Sequence, residues 1–289
     1  MSDRSSEEIV EMAQAHIDER GVLVAEQRRI RDLPWRYAFW GVLGTLLLGL
    51  LAWPGTPLDQ KMFAVGHGIC AQINLVELGG RNLPICARNT GIYGSFLITS
   101  LYLLALGRSR AAKLPHWSIT AMLGLFVIIM GIDGFNSLFV DLFLPHLYTP
   151  QNELRTLTGI GMGTSIAVLL FLILNMALRR DPDTDQPIVA NWFEFGGALV
   201  LNLLILLALY GNITFMYWPI AIISWVGILG VLFCVNLLIA GVFMGYEAAV
   251  THVVQLARPA TLAIVLTVFE LSMLAGFRYW LESQGLVAI

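Results

Sequence analysis

The sequence predicts an all-α, polytopic transmembrane helix bundle of about seven spans, and three observations predict it. Hydrophobic residues make up 57% of the 289 and charged residues only 13%, where a soluble domain carries about 25%. About seven stretches reach the roughly 20 mainly apolar residues that cross a bilayer, and mean hydropathy over the chain is +0.74. Tryptophan or tyrosine stands near many of their ends, at Trp35, Trp53, Trp117, Trp192, Tyr210, Trp218, Tyr279 and Trp280, where amphipathic rings anchor a helix at the interface. Net charge is only −3 and the basic residues are dispersed, so the electrostatic footprint of a nucleic-acid binder is missing.

Residues 1–34 read as a cytoplasmic amphipathic amino-terminal segment and 35–289 as the transmembrane helical domain. Met1 to Asp32 is acidic and polar, without the apolar core of a signal peptide. Ser5 to Glu8 has the form of a capping box, and Ile9, Met12, Ala13 and Ile17 follow at helical spacing. The opposite face carries Glu8, Glu11, Asp18 and Glu19, which suits packing on protein rather than on anionic lipid. The spans are expected at Trp35–Trp53, Asn89–Leu106, Trp117–Phe139, Thr156–Leu178, Trp192–Tyr210, Ile220–Gly245 and Thr261–Trp280. Between the first two, Met62 to Leu78 is apolar but too short to cross and is softened by Gly66 and Gly68. It reads as an interfacial or re-entrant segment. Gly159 with Gly163, and Gly241 with Gly245, form G-x-x-x-G pairs that pack helices. With the amino terminus inside, twelve Lys and Arg fall on the cytoplasmic side and five (Lys61, Arg81, Arg88, Arg155 and Arg278) outside. That asymmetry places the amino terminus in the cytoplasm and the carboxyl terminus outside.

The stretch Gly66 to Gly94 then faces outward and concentrates the chemistry. Cys70 and Cys86 have three readings there: a structural disulfide or unpaired structural thiols, a zinc or copper site completed by His67 and a carboxylate, or a catalytic thiol. Cys234, in mid-span, reads as a packing residue. Asp133 lies 16 residues beyond Trp117, roughly 24 Å along the helix, which is nearly the depth of Arg88. A carboxylate at that depth needs a partner, and Arg88 is the nearest. Arg88, Asp133, Asn89, Asn136 and Tyr93, with His67, therefore form either a polar pocket open to the outer face or a buried clamp between two helices. Glu270, at the middle of the last span, is either a proton-relay or cation ligand or a group hydrogen-bonded to Asn202 or Asn236. No H-E-x-x-H, G-x-S-x-G or Walker-type motif occurs, which argues against an ATP-driven pump or a familiar membrane protease.

The run Arg81-Asn-Leu-Pro-Ile-Cys86-Ala-Arg88-Asn-Thr-Gly91-Ile-Tyr93, preceded by Cys70 and Gln72 and followed by Ile132-Asp133-Gly134, resembles the prokaryotic membrane proteins grouped as domain-of-unknown-function 2085. The resemblance covers about Val65 to Asn136 and marks Cys70, Gln72, Cys86, Arg88, Gly91, Tyr93 and Asp133. It implies a prokaryotic plasma (inner) membrane protein. Ala71 stands where a histidine is common in that family, and Asn89 where a second cysteine or an aspartate is common, so this chain has fewer metal ligands and no C-x-x-C pair. Three functions stay open. One is a lipid-embedded transporter or enzyme whose outward pocket binds a small ligand or a metal ion. Another is an assembly subunit with membrane-protein partners, and the third is a thiol–disulfide carrier.

Overall fold

The computed structural model describes residues 6–70 and 72–286; Ser5 of the expected capping box, and Ala71, lie outside the described residues. Helix α1 (Ser6–Asp32) leads through a short turn at Leu33 and Pro34 into α2 (Trp35–Ala52). After α3 (Leu58–Gly66) come strands β1 (Leu75–Leu78) and β2 (Arg81–Cys86), and then α4 (Ala87–Ala105) begins without a break. A short strand β3 (Ala111–Lys113) precedes α5 (Trp117–Asp141) and α6 (Asn152–Leu178). Strand β4 (Asp183–Pro187), α7 (Trp192–Tyr210), α8 (Tyr217–Phe243) and α9 (Ala257–Ser283) complete the order. The amino-terminal helix is longer than the short one read from its apolar spacing.

Six described helical segments are long and apolar enough to cross a membrane: Ile30–Ala52, Trp117–Asp141, Asn152–Leu178, Trp192–Tyr210, Thr214–Phe243 and Val253–Ser283. The expected span Asn89–Leu106 corresponds to α4, which is not among them. Its polar first turns (Arg88, Asn89 and Thr90) dilute its apolarity, and α6, α7 and α8 pack around it. A helix enclosed by protein does not need the lipid-facing surface that hydropathy measures.

Small residues let α4 sit that deep. A Cβ at Gly163 would come 1.9 Å from the Ile92 carbonyl oxygen, and one at Gly159 2.4 Å from that of Arg88. The first G-x-x-x-G pair is therefore the α4–α6 contact, a close backbone approach of the kind that associates helices in lipid. The second pair differs: Gly241 meets only the Leu178 side chain, and Gly245 lies past the end of α8 with φ +71°. At the centre, Asn202 donates to Thr99 Oγ1 at 2.8 Å and to Thr164 Oγ1 at 3.2 Å, joining α7 to α4 and α6.

The connections gather at the two ends of the bundle. At one end β3 runs parallel to β4, Asn175 donates to the Ala111 carbonyl at 2.8 Å, Arg108 pairs with Glu194 at 2.5 Å, and Tyr246 bonds Asp32 at the foot of α1. At the other end the Met62–Leu78 segment divides into α3, a turn and β1. Strand β1 pairs antiparallel with β2, Leu78 opposite Arg81. Gly79 and Gly80, both at positive φ (60° and 77°), make the two-residue turn that such a tight hairpin requires. The hairpin is tied down by Tyr217, whose hydroxyl donates to the Asn82 carbonyl at 3.2 Å.

Candidate functional site

The junction of α3, the hairpin and α4 is organised by Gln72. Its φ of +56° is uncommon for a residue with a Cβ, and its own hydrogen bonds hold it there. The side-chain amide donates to the carbonyls of Phe63 and Pro84, both at 2.8 Å, and Oε1 accepts from His67 Nδ1 at 2.6 Å. Because the amide nitrogen is spent on two carbonyls, the orientation of Oε1 is fixed, and His67 must present an N–H to it. The other ring nitrogen lies 2.8 Å from Glu282 Oε2, and Glu282 Oε1 also accepts from Arg278 Nε at 3.0 Å. Both ring nitrogens of His67 are thus engaged within the protein, by Gln72 and by Glu282.

Cys70 and Cys86 are free thiols in this structure. Cys70 is 1% exposed, and its sulfur accepts the backbone N–H of Cys86 at 3.2 Å and that of Gln72 at 3.4 Å. The thiol of Cys86 and the side chain of Asn89 stand near the same sulfur and act on it electrostatically. Cys86 is the residue before the first turn of α4, so the pair lies at the helix end whose free N–H groups favour negative charge. The Cys86 thiol above all, then the two backbone N–H groups and Asn89, hold Cys70 well below the ordinary thiol range against the opposing effect of burial. Cys86 is displaced upward by its bond to Cys70 and by burial. Arg278 closes the floor, donating to the Cys70 carbonyl at 2.7 Å.

Arg88 and Asp133 meet as their depths require. Arg88 donates to Asp133 Oδ2 through Nε at 3.1 Å and through its terminal nitrogen at 2.5 Å, and that nitrogen also reaches Ser137 Oγ at 2.7 Å. Asp133 is 1% exposed; Tyr148 donates to its Oδ1 at 2.6 Å and Thr158 to Oδ2 at 3.3 Å. Every carboxylate oxygen is thus engaged by the protein, which is the geometry of a clamp joining α4, α5, α6 and the segment that follows α5. Asn136 belongs to the same clamp, its amide spanning Leu147 and Tyr148 by bonds of 2.7 to 3.3 Å.

Of the remaining expected residues, Asn89 joins the thiol pair, and Tyr93 packs in the apolar cluster around Cys70 with Ile85, Ile228 and Leu271. Glu270 stands apart between α8 and α9, where Asn236 donates to it at 2.9 Å. Among the described residues no group of three or more His, Cys, Asp or Glu side chains could hold a metal ion. Sequence reasoning missed Glu282, Arg278, Tyr148 and Thr158 as partners. Gln72 carried a signal, the resemblance, but its bonding did not.

No curated protein and no solved structure matches the chain. A known family does match residues 70–169, a stretch that begins at the buried thiol, contains the Arg88–Asp133 clamp and includes the glycines of the α4–α6 contact. That stretch of this integral membrane protein carries the pattern of the family described as Predicted membrane protein (DUF2085).

Proposed function

We propose that the chain is a membrane-embedded thiol–disulfide carrier in which Cys70 and Cys86 form the exchanging pair. The observation that carries this reading is the sulfur of Cys70 receiving two backbone N–H groups beside a second thiol at the start of α4. In the oxidised form, a partner's thiolate attacks the sulfur of Cys86, the less buried of the two. The Cys70–Cys86 bond breaks and its electron pair leaves on Cys70, where the N–H groups receive the charge. The partner's second thiol, deprotonated, then attacks the partner-side sulfur of the mixed disulfide and expels Cys86, which takes up a proton. The carrier disulfide and a partner dithiol have become a carrier dithiol and a partner disulfide, with two electrons passed. A stabilised leaving thiolate speeds the first step and, by favouring the reduced carrier, makes the pair an oxidant.

The reading requires the pair to lie outside the reducing cytoplasm. The twelve-to-five distribution of basic residues supports that placement, with the amino terminus in the cytoplasm of a prokaryotic cell and the hairpin end outside. The test is differential alkylation of Cys70 and Cys86 in native membranes, read by mass spectrometry with and without reductant. Both redox states should be found, and Cys70→Ser should accumulate a reducible adduct on Cys86. A pair found in one state under every growth condition would overturn the proposal.

A second reading, an assembly subunit, is favoured by α1. Val10, Val22 and Leu23 are all more than half exposed on that helix, ahead of the apolar segment that begins at Ile30. Under this reading a partner protein covers α1, and the protein purifies in mild detergent at fixed stoichiometry with that partner. A lone, monodisperse chain would count against it.

A further inference from the structure

The hairpin end holds a second polar feature that the thiol pair does not use. A cleft of about 770 Å³ opens between the Gly79–Gly80 turn and the start of α6, with Asn74, Asn152, Arg155 and Tyr210 in its walls. Arg155 is 7% exposed, and among the described residues its Nε has no hydrogen-bond partner. The guanidinium makes one hydrogen bond, a long contact of 3.5 Å to Asn152 Oδ1, and among the described residues no carboxylate lies within ion-pair distance of it. The other well-buried guanidinium groups are matched: Arg88 by Asp133, Arg108 by Glu194 and Arg278 by Glu282.

A buried cation without a counter-charge is expensive, because the protein has removed much of its hydration and returned only one long hydrogen bond. The same cleft receives the amino terminus of α6, a 27-residue helix whose preceding residue, Gln151, supplies no side-chain cap. Its first-turn N–H groups are donors in want of acceptors, and the helix dipole places partial positive charge there. Donors of this kind beside an unmatched guanidinium are the elements of an oxyanion site. We infer that the cleft binds a phosphate-type oxyanion, with Arg155 as its fork and the first turn of α6 as its cradle. Glu77 and Glu153, exposed at the rim, disfavour a ligand of high negative charge and favour one whose remainder carries hydroxyl or cationic groups.

The oxyanion could be a soluble phosphate or the headgroup of an anionic lipid, and two arms of one experiment separate them. Full-length protein in a phosphate-free maltoside detergent is titrated with inorganic phosphate and followed by thermal unfolding and calorimetry. The same measurement without phosphate is made in nanodiscs containing phosphatidylglycerol. Saturable stabilisation by phosphate, weakened at least tenfold in Arg155→Gln and unaffected in Arg110→Gln at the opposite end, supports a soluble ligand. Stabilisation by the anionic lipid alone, with the same dependence on Arg155, supports a headgroup. Should Arg155→Gln fold poorly, Glu153→Gln at the rim is expected to tighten binding. An absence of response to both probes, or a response equal in Arg155→Gln and wild type, overturns the inference.

Discussion

Cys86, 16 positions further along the chain and at the end of β2, aims its backbone N–H at the sulfur of Cys70 from 3.2 Å. The contact stabilises the thiolate of Cys70, so its acid form is the one the fold disfavours. With the folded value depressed, the stabilisation is complete above the ordinary thiol value of about 8.5 and is lost as pH falls through the folded value. We expect Cys70, and not Cys234, to remain open to alkylation at pH values where ordinary thiols are protonated. A Cys70 profile that coincides with that of a free thiol would remove the basis of the carrier reading.

Arg278 restrains the floor of this site through the carbonyls of His67 and Cys70, at 3.3 and 2.7 Å. Arg278→Ala should raise the alkylation rate of Cys70 severalfold while leaving that of Cys234 unchanged. Equal rates would mean that access to Cys70 is governed elsewhere.

The Arg88–Asp133 clamp is buried on the aspartate side and one-fifth exposed on the arginine side. Removing one partner of a buried pair costs about 3–5 kcal/mol, and Arg88→Ala or Asp133→Ala should fall toward the lower end of that range in detergent unfolding. The Arg88→Met, Asp133→Leu double variant should recover part of the loss. Losses that simply add would show that the two groups act independently.

Tyr148 serves the same carboxylate, and its phenol is pushed up to about 12, by burial first and then by the hydrogen bond to Asp133. A raised folded value means that this contribution is complete below the unfolded value of about 10 and is lost as pH rises toward 12. Wild-type stability should therefore decline across that alkaline window more steeply than that of Tyr148→Phe. Identical slopes would detach Tyr148 from the clamp.

Gly163→Ala drives a Cβ to within 1.9 Å of the Ile92 carbonyl, whereas a Cβ at Gly124 meets nothing within 4 Å. The first substitution should cost about 3 kcal/mol or more, and Gly124→Ala should be neutral or stabilise its helix by up to about 1 kcal/mol. Unfolding midpoints that do not separate the two variants would contradict the close α4–α6 contact.

The sequence by itself determined the solvent, the helical class and the pairing of Arg88 with Asp133. Hydropathy reports the lipid directly, and a charge at a given depth on a rigid rise of about 1.5 Å per residue restricts its partners. The Gly79–Gly80 hairpin was not read from the sequence: two adjacent glycines suit a turn of positive φ, but the apolar run beside them concealed the strands. Tertiary structure alone decided that α6, α7 and α8 pack around α4, that His67 spends both ring nitrogens on Gln72 and Glu282, and that Arg155 has no counter-ion among the described residues. Each of these depends on which residues, distant along the chain, exclude water from the same space. Periodicity and composition describe a residue's own segment, whereas burial, hydrogen-bond satisfaction and charge balance belong to the assembled bundle.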